Sequence, residues 1–77
     1  MILYEKIGCP YCIKVLQFAE ENGITFDLKN IADDTVAAEL VQRGGKRQVP
    51  YLVDDERGVE MYESDDIVKY LQAQYAS

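Results

Sequence analysis

An α/β fold with one mixed four-stranded sheet and helices on its faces is predicted for this chain, in the order β-α-β-α-β-β-α. Three observations predict it. Short runs with strand-like patterning are interleaved with segments whose apolar residues recur at helical spacing. The strand–helix–strand opening requires a parallel pair joined by a right-handed crossover. The polar tetrapeptide Asp55-Glu56-Arg57-Gly58 between two late strands adds an antiparallel hairpin. At 77 residues, all of 1–77 is expected to be a single small domain with no linker, repeat or separate substrate domain.

Each element has its own signal. Ile2-Leu3-Tyr4 is the first strand and leads into Lys6-Ile7-Gly8. A helix is expected over 11–21, because Cys12, Val15, Leu16 and Ala19 share one face. Pro10 suits its first turn, where the missing N–H costs nothing, and Asn22-Gly23 stops it. Ile24, Phe26 and Leu28 alternate with Thr25, Asp27 and Lys29, which predicts a half-buried second strand over 24–29. Asp33 and Asp34 open the second helix, and Val36, Ala37, Leu40 and Val41 form its apolar stripe. Arg43 falls in its last turn and Gly44-Gly45 ends it. Strands follow over 51–54 and 59–62, with the acidic run Asp54-Asp55-Glu56 expected at a solvated hairpin tip. Ser64 is the expected N-cap of the last helix, Asp65 and Asp66 lie in its first turn, and Ile67, Tyr70, Leu71 and Gln74 continue it. Tyr51, Tyr62, Tyr70 and Tyr75 are expected mainly to pack.

Composition excludes several functions. A chain 48% hydrophobic and 29% charged is too apolar to be disordered. Its net charge of −6 argues against a nucleic-acid surface. No apolar run approaches the roughly 20 residues of a membrane span, and Ile2-Leu3-Tyr4 before Glu5-Lys6 does not form a secretory leader, so a cytoplasmic location is expected. The absence of histidine removes imidazole catalysis, Ser-His and Cys-His pairs, and the commonest zinc ligand.

The chemistry is concentrated in Cys9 and Cys12. A disulfide between them closes too small a loop to restrain the unfolded chain. The pair supplies only two of the four ligands of a zinc site, although a dimer could pool four thiolates around a metal or cluster. Two buried apolar cysteines are the plain alternative to a redox pair. Position favours redox chemistry. Cys9 stands at the start of a helix, where free N–H groups and the positive dipole end stabilise a thiolate, and Lys6 adds a cation nearby. Cys12 lies one turn further in on the apolar stripe, where burial keeps a thiol protonated. Cys9 is therefore the expected nucleophile and Cys12 the resolving thiol.

These residues resemble a known family. Cys9-Pro10-Tyr11-Cys12 is similar to the active-site tetrad of dithiol glutaredoxins, with Lys6 at the family's lysine and Val49-Pro50 at its cis Val-Pro dipeptide. Ser64-Asp65-Asp66 falls where glutaredoxins hold the glutamyl end of glutathione. The resemblance covers essentially the whole chain and implies the thioredoxin fold, with glutathione as reductant. Two departures stand out: Gln48 replaces the usual Thr before Val-Pro, and Tyr62-Glu63-Ser64 replaces the usual Gly-Gly-Cys. Glu63-Ser64 and Gln48-Val49-Pro50-Tyr51-Leu52 look more like the N-terminal domain of glutathione transferases, which also bind glutathione.

The resemblance implies a glutathione-dependent thiol–disulfide oxidoreductase that acts on glutathionylated or disulfide-containing proteins through Cys9 and Cys12. Its implied glutathione contacts are Lys6, Tyr11, Val49, Pro50, Glu63, Ser64 and Asp65, with Asp65 or Glu63 accepting from the ammonium and one of Arg43, Lys46 or Arg47 helping Lys6 at the glycyl carboxylate. A monomer is expected, with no resident metal, nucleic-acid partner or membrane contact. The rival readings are a transferase-like or dehydroascorbate-reducing activity and a dimer bridging an iron–sulfur cluster.

Overall fold

The structure, a computed structural model, describes residues 1–76. Its elements are β1 (Ile2–Glu5), α1 (Pro10–Glu21), β2 (Asp27–Asn30), α2 (Asp34–Gly44), β3 (Tyr51–Asp54), β4 (Val59–Tyr62) and α3 (Ser64–Tyr75). The sheet order is β2-β1-β3-β4, with β1 and β2 parallel and the other two pairings antiparallel. This is the thioredoxin fold in the predicted element order.

The pleat divides the core into two layers. In register, Leu3 faces Leu52 across β1 and β3, and both side chains join Val15 of α1 with Ile67 and Leu71 of α3. The next residues along those strands point the opposite way. Tyr4, Tyr51 and Val53 pack with Ile31, Ala37 and Leu40 beneath α2. Central strand β3 is buried along its whole length, so Pro50 enters and Asp54 leaves it as fixed points. The cleft described below lies at the Pro50 end.

Four local expectations change. The second strand covers Asp27–Asn30 rather than 24–29, because the ladder with β1 begins where the Asp27 N–H donates to the Met1 carbonyl. Ile24 is instead held by its N–H to the Ala19 carbonyl at 2.8 Å, and Leu28 is 51% exposed on the edge strand. Val41 of the predicted α2 stripe is also exposed, leaving Ala37 and Leu40 as that helix's buried anchors. Glu63, not Ser64, is the N-cap of α3, and Ser64 is its buried first residue. Asp54 is no part of a solvated tip. It is 1% exposed and its carboxylate accepts from the hydroxyls of Tyr70 at 2.7 Å and Tyr75 at 2.5 Å.

Candidate active site

The turn out of β1 delivers Cys9 to the head of α1. Gly8 takes φ +84, a left-handed conformation that side-chain-bearing residues adopt at a cost, and the Cys9 N–H then donates to the Lys6 carbonyl at 3.1 Å. Cys9 is the N-cap, with extended φ −74 and ψ 119, and Pro10 occupies the first helical position. Residue type and local structure agree here: the cap leaves N–H groups pointing at the sulfur, and the proline removes one that would have had no partner.

The two free thiols have opposite surroundings. Cys9 is half-buried, whereas Cys12 is 1% exposed. Burial alone would raise the Cys9 pKa, but the N–H groups of Cys12 and Tyr11, the Cys12 thiol and the Lys6 charge outweigh it, and the thiol lies below its ordinary range. Burial pushes Cys12 up to about 12, and the sulfur of Cys9 and the carboxylate of Glu5 add to the rise. The site therefore offers one sulfur ready to attack and one held in reserve as a thiol.

Beside this pair lies a cleft of about 460 Å³ lined by Tyr11, Gln48, Val49, Pro50, Glu63, Ser64 and Asp65. Three separate segments meet in it: the first turn of α1, the approach to β3, and the junction of β4 with α3. The Val49-Pro50 peptide is cis. At the opposite wall Glu63 holds φ 71, an uncommon value for a residue with a side chain, and its Oε1 accepts from Gln48 Nε2 at 3.2 Å. Asp65 pairs with Lys14 of α1, whose hydrogen bond and charge hold the carboxyl below its usual range.

Six of the residues nominated from sequence, Tyr11, Val49, Pro50, Glu63, Ser64 and Asp65, thus share one cavity. Lys6 does not line it and acts on Cys9 through its charge. The basic cluster is dispersed. Arg43 pairs with Glu60 at 3.6 Å, Arg47 donates to the Ile31 carbonyl at 3.3 Å, and Lys46 lies 5.7 Å from the Tyr62 ring. Gln48, Lys14 and Glu5 were not nominated. Gln48 had a signal in its place beside Val-Pro, whereas Lys14 and Glu5 reach the site only through tertiary packing. Among the described residues no cluster of three or more His, Cys, Asp or Glu is placed to hold a metal ion.

A thioredoxin-fold domain with an activated thiol at its first helix and a polar cleft across the entry to β3 is the class that fold and site define. Residues 3–77 match the family model described as "Glutathione S-transferase, N-terminal domain", and the chain belongs to that family. Among solved structures it is similar to glutathione S-transferase 1-6 from Anopheles dirus species B, at 33% identity and a TM-score of 0.85, over 100% of this chain and 37% of that one. Among curated proteins it is similar to a glutaredoxin of Pseudomonas aeruginosa, 33% identical over 55 residues, which are 68% of this chain and 63% of the relative. Glutaredoxin 1 of Rickettsia felis is 28% identical over 58 residues, 71% of this chain and 57% of its own. The chain thus spans about three-fifths of the glutaredoxins it matches and about a third of the transferase.

Proposed function

We propose that this domain is a glutathione-dependent thiol–disulfide oxidoreductase with Cys9 as nucleophile and Cys12 as resolving thiol. The observation that carries the reading is the asymmetry of the two thiols: Cys9 is half-buried at the N-cap of α1 and Cys12 is fully buried one turn further in, which lowers the pKa of the first and raises that of the second.

In the first step the Cys9 thiolate attacks the glutathione sulfur of a mixed disulfide. A Cys9–glutathione disulfide forms, the original S–S bond breaks, and the second thiol leaves as a thiolate that takes a proton from water. A second glutathione thiolate then attacks the glutathione sulfur on Cys9, giving glutathione disulfide and returning the Cys9 thiolate. In the dithiol route Cys12 loses its proton to water and its thiolate attacks the Cys9 sulfur of the mixed disulfide, breaking that S–S bond and expelling glutathione as a thiolate. Two glutathiones then reduce the Cys9–Cys12 disulfide to two thiols and leave as glutathione disulfide. Burial holds the Cys12 thiol above its ordinary range in the reduced pair, so Cys9 and not Cys12 makes the first attack.

The cleft supplies groups suited to the rest of glutathione. N–H groups at the start of α3 and the Ser64 hydroxyl suit the γ-glutamyl carboxylate, with Asp65 or Glu63 as acceptor for its ammonium. Val49 and Tyr11 line the same cleft, where the main chain of Val49 is suited to the cysteinyl residue and the Tyr11 ring to the space beside its sulfur. Turnover of a glutathionylated peptide, coupled to glutathione reductase, tests the reading. The expected result is turnover in wild type and Cys12→Ser and none in Cys9→Ser.

A second reading, conjugation of glutathione to an electrophile, is favoured by the family match and by Glu63-Ser64 on the cleft wall. Conjugation of a chlorodinitrobenzene that persists in Cys9→Ser would support it.

A further inference from the structure

Tyr62 ends β4 one residue before the cleft wall begins. Its hydroxyl donates to the Lys46 carbonyl at 2.8 Å and accepts from the Lys46 N–H at 3.1 Å, engaging both backbone groups of one residue. The ring packs, tilted, against Tyr51 at 4.4 Å between centroids. Gly44, the last residue of α2, leaves the room this needs. A Cβ there would collide with the hydroxyl and stand 2.7 Å from Cζ.

The consequence reaches the cleft through the chain. Residues 45–49 join α2 to Pro50 without helix or strand of their own, and they carry Gln48 and Val49. Two contacts tie this segment to the β4–α3 junction, which carries the opposing wall: Lys46 to Tyr62, and Gln48 to Glu63. A cleft walled by separate segments, here these two and the first turn of α1, binds well only while their spacing is held, because every alternative spacing lowers the competent fraction.

We propose that Tyr62 is a positioning residue for glutathione: its hydroxyl latches segment 45–49 to the β4–α3 junction and so sets the spacing of the two cleft walls. The proposal rests on the glutathione reading above.

Tyr62→Phe keeps the ring and removes the latch. The KM for a glutathionylated peptide is expected to rise about three- to tenfold, because part of the net worth of the two lost hydrogen bonds must be made up on binding. The kcat is expected to stay within about twofold, since Cys9 is untouched. The Lys46 amide should exchange with solvent faster, and the pH midpoint of Cys9 alkylation should not move. A purely structural tyrosine would lower the thermal midpoint and leave KM alone. Gly44→Ala, which displaces the hydroxyl from the other side, should raise KM similarly, and the double substitution should do no more than the larger single one. A folded Tyr62→Phe protein with wild-type KM, or with unchanged Lys46 exchange, overturns the latch. Wild-type protein that turns over no glutathionylated peptide overturns the glutathione reading, and this proposal with it.

Discussion

The two ends of α3 are built to opposite ends. At its start Glu63 is forced to positive φ, Asp65 and Asp66 are exposed, and Ser64 and Asp65 line an open cleft. At its finish Tyr70 and Tyr75 converge on the buried carboxylate of Asp54, with Arg57 at 3.9 Å. Burial raises the Asp54 carboxyl, but the two hydroxyls, the Arg57 N–H and the Arg57 charge outweigh it, so its pKa lies below the ordinary value. β3 links the ends, entering from Pro50 at the cleft and leaving at Asp54. The difference shows how a small domain divides labour. Polar groups at the far end are buried, mutually satisfied and fasten the helix, whereas those at the near end make only exposed contacts, Asp65 with Lys14 and Glu63 with Gln48, on the wall of an open cleft.

The largest expected effect falls at the near end. Cys9→Ser should abolish turnover, whereas Cys12→Ser should keep reduction of glutathione mixed disulfides and lose much of the two-cysteine activity on disulfide substrates. Assays with one glutathionylated and one disulfide substrate separate the two outcomes, and equal loss in both variants contradicts the assigned roles.

Next comes the far end. Asp54→Ala leaves two tyrosine hydroxyls without their acceptor and should cost about 3 kcal/mol of unfolding free energy in urea titration. The KM of the folded protein should be unchanged. The pH dependence follows from the sign of the shift. Because the folded pKa is lowered, the carboxylate's contribution is complete above the unfolded value of about 3.9 and is lost as pH falls through the folded value. Asp54→Asn should therefore flatten the acid limb of the stability profile, and an unchanged limb would sink this assignment.

Much of this division was legible in the residues. Helical spacing, the Asp33 cap and the Gly58 turn gave the element order, and Cys9-Pro10-Tyr11-Cys12 announced its own geometry because helix capping is local. What stayed hidden depends on distant chain segments meeting. Asp54 reads as one of three acidic residues at a turn, and only the packing of α3 shows two tyrosines above it. Gly44-Gly45 reads as a helix stop, which Gly45 fulfils at φ +87, while Gly44 is required by the approach of Tyr62. The second strand, Asp27–Asn30, starts later than its alternation suggests, because alternation fixes which side chains share a face but not where a partner strand begins.

Smaller effects sharpen the near end. Asp65→Ala and Glu63→Ala should each be tested for glutathione KM, and the one with the larger rise, about three- to tenfold, identifies the acceptor of the ammonium. Lys14 already pairs with Asp65 and would compete there with a ligand's ammonium. Lys14→Gln should accordingly lower KM for γ-glutamyl substrates by about twofold, the modest size expected of an exposed ion pair. A rise in KM would show instead that Lys14 serves the ligand. Smallest of all, Lys6→Gln should raise the pH midpoint of Cys9 alkylation slightly, since its charge is one of several groups stabilising the thiolate.

Mass spectrometry after mixing with glutathione disulfide tests the central claim most directly, because each single-cysteine variant carries one thiol. At neutral pH, Cys12→Ser should rapidly gain one glutathionyl group on Cys9, and excess glutathione should remove it as glutathione disulfide. Cys9→Ser, with only the buried Cys12 thiol, should remain unmodified over the same time. Equal modification of both variants, or none in Cys12→Ser, would contradict the account.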